Sequence, residues 1–180
     1  MKQTLIVFVR DEPGVLNRVS SLIRKRNFNI DSLIAGRTDK TGITRLTIVL
    51  NEPDKTKQKI VVNNLKKLID VYDVVDATDI ACHIREYLLV KIRISDMTDK
   101  IGDLIDSDYC RVLEEKNDVI IAEFAGSEKT IQKVISEMKT VNILELMCSG
   151  KMAMISGFNK AYQPELIETD PNIYSQLALD

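Results

Sequence analysis

Residues 11–16, Asp-Glu-Pro-Gly-Val-Leu, join an apolar run to what reads as an apolar-faced helix. A helix start presents backbone N–H groups that lack partners inside the helix, so water, a cap or a ligand must satisfy them. Its partial positive charge favours a carboxylate or a phosphate. Pro13 presets the backbone of a first helical turn, and Gly14 has no Cβ to bar close approach to its backbone. A ligand carboxylate would accept from the N–H groups around Gly14, Val15 and Leu16. Asp11 would face the ligand's ammonium. Asn29, with both a donor and an acceptor on its amide, would close the site from a neighbouring subunit. An amino acid suits this set, whereas Asp11 would repel a phosphate. The alternative is an ordinary Pro/Gly helix start with no ligand.

Other chemistry finds little equipment. The one histidine, His83, is expected in a linker, with no Cys or carboxylate pair at metal-ligand spacing beside it. No nucleophile-elbow, P-loop or dinucleotide-binding glycine motif occurs. Glu114-Glu115 reads as a solvated hairpin end, not an acid–base pair. Arg24-Lys25-Arg26 falls at a helix end, where basic side chains complement the dipole. An enzyme acting alone is disfavoured.

The elements that position the opening stretch follow from periodicity. TLIVFV at 4–9 is β-branched and aromatic, a buried strand. Val15, Leu16, Val19, Leu22 and Ile23 then share one helical face, with Asn17, Arg18, Arg24 and Lys25 opposite. Residues 29–37 read as a strand, 38–42 as a turn, and ITRLTIVL at 43–50 as the returning strand. Pro53-Asp54 opens a second helix with Val61, Leu65 and Leu68 inward, and 71–80 supplies a fourth strand. The order is β-α-β-β-α-β. Residues 86–149 repeat it: Leu88, Val90, Ile92 and Ile94 alternate, and a short helix spans 98–106. Two strands then flank Lys116-Asn117-Asp118, Ser127 caps a helix with Ile131, Val134, Ile135 and Met138 inward, and ILELMCS closes as a strand.

The fold class expected is therefore α+β: two ferredoxin-like βαββαβ units with antiparallel sheets and helices on one face. Residues 1–81 form the first unit, 82–156 the second, and 157–180 an acidic tail with weak periodicity. The right-handed crossover rule favours strand order 4-1-3-2, which leaves one sheet face bare unless something covers it and makes 29–37 an edge. Units of roughly 70–80 residues have marginal cores, so edge-to-edge dimerisation is expected.

Among 180 residues, 25 Lys and Arg stand against 27 Asp and Glu, so no net field recruits nucleic acid or an anionic membrane. RNA-binding sheets of the same order display aromatics, and this chain has no Trp and few Phe or Tyr in its strands. No apolar run approaches the roughly 20 residues of a membrane span, and the first residues lack a signal-peptide layout. Cys82, Cys110 and Cys148 form no CxxC pair and read as free thiols in a reducing compartment. A cytoplasmic location is expected.

The run D-E-P-G-V-L-N-R-V followed by R-N-F-N-I-D-S-L resembles the ligand motif of ACT domains. More narrowly, it resembles the regulatory (small) subunits of acetolactate synthase, also called acetohydroxyacid synthase. The likeness continues through Arg45-Leu46-Thr47-Ile48, Lys67-Leu68-Ile69-Asp70-Val71, Arg85-Glu86-Tyr87-Leu88-Leu89-Val90-Lys91 and Ser149-Gly150. It implies an N-terminal ACT domain that binds effector and dimerises, followed by a C-terminal ACT-like domain. It further implies a chain with no active site or cofactor of its own. Its partner would be a separate catalytic large subunit carrying thiamine diphosphate, magnesium and FAD, which it activates and makes sensitive to valine in branched-chain amino-acid (valine and isoleucine) biosynthesis. The family's effector positions fall on Asp11, Gly14, Val15, Leu16, Asn29 and Ile30, at the interface of two N-terminal domains. Bacterial members often have Asn where Asp11 stands. A stand-alone ACT amino-acid sensor acting on a different partner is the alternative.

Overall fold

The computed structural model describes residues 2–157. The first unit runs β1 (Gln3–Arg10), α1 (Val15–Lys25), β2 (Ile30–Arg37), β3 (Ile43–Leu50), α2 (Lys55–Leu65) and β4 (Val71–Asp76). Its antiparallel sheet has the order β2-β3-β1-β4, the one that the crossover rule predicts. The second unit repeats the pattern as β5 (Cys82–Arg93), α3 (Asp99–Ile105), β6 (Cys110–Lys116), β7 (Val119–Gly126), α4 (Glu128–Met138) and β8 (Ile143–Cys148). Its order is β6-β7-β5-β8. The residues expected to punctuate the chain do so. Asp54 accepts from the N–H groups of Thr56 and Lys57 at the head of α2, and Ser127 from Thr130 at the head of α4. Asn117 and Asp118, both at positive φ, turn the β6–β7 hairpin.

Each sheet packs one face on its helices. Leu5, Val7 and Val9 of β1 meet Val15, Val19 and Ile23 of α1 and Val61 and Leu65 of α2. In the second unit Leu88, Val90 and Ile92 meet Ile101, Leu104, Ile131, Val134 and Met138. The alternate residues of β1 differ from a one-sided strand, because Ile6 and Phe8 are buried too.

Two features depart from the sequence reading and explain that burial. Residues 82–85, expected as a linker, are the first third of β5, which places His83 on a strand and not in a linker. They pair with a ninth strand, β9 (Met152–Ile155), that the sequence does not announce. This two-stranded pair covers the sheet face that the first unit would otherwise leave bare. Ala153 joins Ile6, Phe8 and Ala77 in a third apolar cluster, flanked by Ile43, Val75, Cys82, Ile84 and Ile155. Arg45 of β3 donates to the carbonyl of Ala153 across the same seam. The fourth strand ends at Asp76, earlier than expected. The expected tail, apart from Gly157, lies outside the described residues.

The seam is tight at Gly150, whose φ is +82° and where a Cβ would lie 2.7 Å from the Cβ of Ser32 on β2. Beside it Glu86 is 4% exposed. Burial, then Glu128, push its carboxyl above the ordinary range, with Lys151, the Cys148 thiol and Lys2 opposing. Gly150→Ala is expected to cost about 2 kcal/mol through strain and overlap, whereas Gly36→Ala, with open space around it, should cost far less; urea midpoints measure both. For Glu86 the folded state holds its proton more tightly than the unfolded chain does. Its stabilising contribution is therefore complete below the ordinary value of 4.5 and lost as pH rises through the raised one. Melting temperatures of Glu86→Gln should match wild type near pH 4 and exceed it at pH 7.

Candidate functional site

The end of β1 is held from three sides. The Arg10 N–H donates to the Asp70 carbonyl at 2.9 Å, and the Asp11 N–H donates to the Gly42 carbonyl in the β2–β3 turn, also at 2.9 Å. The Thr44 hydroxyl of β3 donates to Asp11 Oδ1 at 3.0 Å, which fixes where that exposed carboxylate points. From there the chain makes one turn, closed by a long 3.4 Å bond from the Val15 N–H to the Glu12 carbonyl, and enters α1.

This start differs in detail from the expected one. Pro13 lies in the turn, and the first helical residue is Val15, with Gly14 as its cap. Gly14 takes φ +83°, a left-handed backbone that residues with a Cβ rarely adopt. No side chain caps the helix. The Val15 amide is therefore occupied, while the amides of Gly14, Leu16 and Asn17 have no partner among the described residues. These three donors lie at the helix start, three to six positions along the chain from Asp11, whose carboxylate is exposed. The Leu16 side chain, 47% exposed, adds an apolar surface beside them. Positive backbone, negative carboxylate and apolar surface together match the two charges and side chain of a small amino acid.

Arg18 and Asp70 are site residues that the sequence reading does not single out for this role. Arg18 Nε donates to Asp70 Oδ2 at 2.5 Å, and the Asp70 side chain is 9% exposed. Since the Asp70 backbone also receives Arg10, this one residue ties α1 to the end of β1. Asp70 lies in the Lys67–Val71 stretch of the family likeness, but no periodicity relates it to Arg18.

Asn29 and Ile30 are not brought to this place. Asn29 is exposed, its carbonyl accepting from the Asn51 N–H at 3.1 Å, and Ile30 is half-buried at the head of β2. Ile30 and Gln3 both stand opposite Leu50, whereas Arg10 stands opposite Ile43. Asn29 is thus at the far end of the sheet from Asp11, about 23 Å along the strands at 3.3 Å per residue. Within one chain the two cannot share a small ligand. β2, however, is a sheet edge.

Among the described residues no group of three His, Cys, Asp or Glu stands where it could hold a metal ion, and no helix is long and apolar enough to cross a membrane.

Residues 5–73 match the family model for the ACT domain like that of the AHAS small subunit, and residues 85–157 match the model for the small subunit of acetolactate synthase. A probable acetolactate synthase small subunit of Archaeoglobus fulgidus is 35% identical over 161 residues, covering 89% of this chain and all of that one. The acetolactate synthase small subunit of Bacillus subtilis is 30% identical over 158 residues, 87% of this chain and 92% of that one. In structure, the small subunit from Thermotoga maritima superposes with a TM-score of 0.78 at 24% identity, over 87% of this chain and 98% of that one, and shows the same fold.

Arg18→Ala would leave the Asp70 carboxylate nearly buried without its guanidinium, at a cost of about 1–2 kcal/mol. Arg24→Ala, exposed and without an ion-pair partner among the described residues, is the control and should change stability by less than about 0.5 kcal/mol. Urea denaturation distinguishes them.

Proposed function

The chain belongs to the acetolactate synthase small-subunit family, and from that premise we propose that it is a regulatory subunit that binds a catalytic large subunit, raises its activity and lets valine inhibit it. Thiamine diphosphate, magnesium and FAD belong to that partner in this reading. The observation that carries the effector assignment is the group of unpartnered amides at Gly14, Leu16 and Asn17, at the helix start that follows Asp11 in the chain. Valine's carboxylate accepts from the amides, its ammonium meets Asp11, and its side chain lies against Leu16.

The place of Asn29 supports a dimer as the binding form. Two copies pairing antiparallel along β2, about a two-fold axis near the middle of the strand, carry each Asn29 and Ile30 to the end of the sheet where the other copy's Asp11 and Gly14 lie. The unpaired edge of β2 gains main-chain hydrogen bonds, and a ligand that spans the junction favours the paired state. Effector binding and dimer geometry are then one equilibrium.

Magnitudes agree with a metabolite sensor. At about 1 kcal/mol per heavy atom a molecule as small as valine reaches micromolar affinity at best. Feedback needs a preference for one dimer arrangement of only about 1–3 kcal/mol.

In the reconstituted complex, Gly14→Asp is expected to abolish valine inhibition, since it puts a carboxylate at the anion-binding amides and a Cβ on a left-handed backbone. Activation of the large subunit should persist. Inhibition retained in this variant would exclude the site, and failure of the wild-type chain to bind the large subunit would exclude the regulatory role.

A further inference from the structure

A cleft of about 420 Å³ opens where β2 of the first unit meets the second unit. Three stretches on which the family resemblance rests converge there: Ser32 from the first, Glu86 from the Arg85–Lys91 run, and Ser149-Gly150. None of them serves the α1 site.

The charges around the cleft do not balance. Lys2 pairs with Asp31 at 2.6 Å, and Lys151 with Glu128 at 2.7 Å. Glu86, the most buried of the charged groups, has no Lys or Arg within ion-pair distance among the described residues. Its one bonded neighbour is the Cys148 thiol, at 3.9 Å. A second polar group on the cleft wall has no partner at all among the described residues: Ser32 Oγ is buried with no hydrogen bond. A carboxylate removed from water without a counter-ion is costly, so these two atoms together ask for a donor carrying one positive charge. Leu33, also on the cleft wall, supplies apolar surface. The volume lies within the range of small-molecule sites, larger than a bare cation needs.

We propose that this cleft binds a small primary amine in its ammonium form, its N–H donors shared between the Glu86 carboxylate and the Ser32 hydroxyl and its alkyl group against Leu33. Because Asp31, Ser32 and Leu33 belong to the edge strand β2, the ligand would tie the second unit to that edge. The proposal does not depend on the α1 site or on valine.

The test titrates the full chain calorimetrically with isobutylammonium chloride, which lacks the carboxylate that the α1 amides require. Saturable binding is expected in wild type and in Asp11→Asn, weakened at least tenfold in Glu86→Gln and severalfold in Ser32→Ala. Isobutanol, the same shape without the charge, should not bind, and potassium chloride at equal ionic strength should not displace the amine. Absence of saturable binding, unchanged affinity in either cleft variant, loss in Asp11→Asn, or displacement by potassium would each overturn the proposal. Circular dichroism confirms that the variants are folded.

Discussion

The burial of both faces of β1 is the constraint from which the rest of this structure follows. Leu5, Val7 and Val9 pack on helices, while Ile6 and Phe8 pack against Ala153 and its neighbours on the paired β5 and β9 strands. A four-stranded sheet with helices on one side has a second face to protect, and here the chain protects it with its own second unit. β5 is the device that makes this work. Its first residues lie over the first unit's sheet and pair with β9, and its later ones form the centre of the second sheet. The two small cores are joined by a strand, not by a tether.

That arrangement leaves β2 exposed as an edge while holding its neighbours rigidly. β1 delivers Asp11 and the helix start to one end of the sheet, and α1 then carries the chain back so that β2 begins at the other. A split βαβ unit always separates these two points by the length of a strand. A ligand that uses both therefore has to sit between two chains, and edge pairing is the symmetric way to place it. The short tie from Arg18 to Asp70 holds α1 to the end of β1, and Thr44 holds the Asp11 carboxylate at the same end of the sheet.

The seam between units has a polar side as well. Glu86 and Ser32 sit where an all-apolar contact would have been simpler: Ser32 Oγ is buried without a partner, and the one hydrogen bond to Glu86 among the described residues comes from the Cys148 thiol. Packing is close enough there to require glycine at position 150. Such a junction couples the second unit to the β2 edge through a few atoms, which is the geometry in which a small ligand has leverage on a larger equilibrium.

Local chemistry wrote much of this fold into the amino-acid order. Alternation marks β3 and β5, helical spacing marks Val15, Val19 and Ile23, and Asp54, Ser127 and Asn117-Asp118 stop and turn the chain as their side chains and backbone preferences dictate. The repeat of the β-α-β-β-α-β order, with the crossover rule, was enough for both sheet orders. The cluster at 11–16 was legible because its groups are neighbours in the chain. β9 was not, since four residues are too few to show a period and their partner lies some seventy positions away. The Arg18–Asp70 tie, the lack of an ion-pair partner for Glu86 and the remoteness of Asn29 from Asp11 were hidden likewise, because each depends on how separate elements pack. Sequence determines what depends on adjacent residues; strand register and inter-unit packing, which bring distant residues together, are decided only when the whole chain has folded.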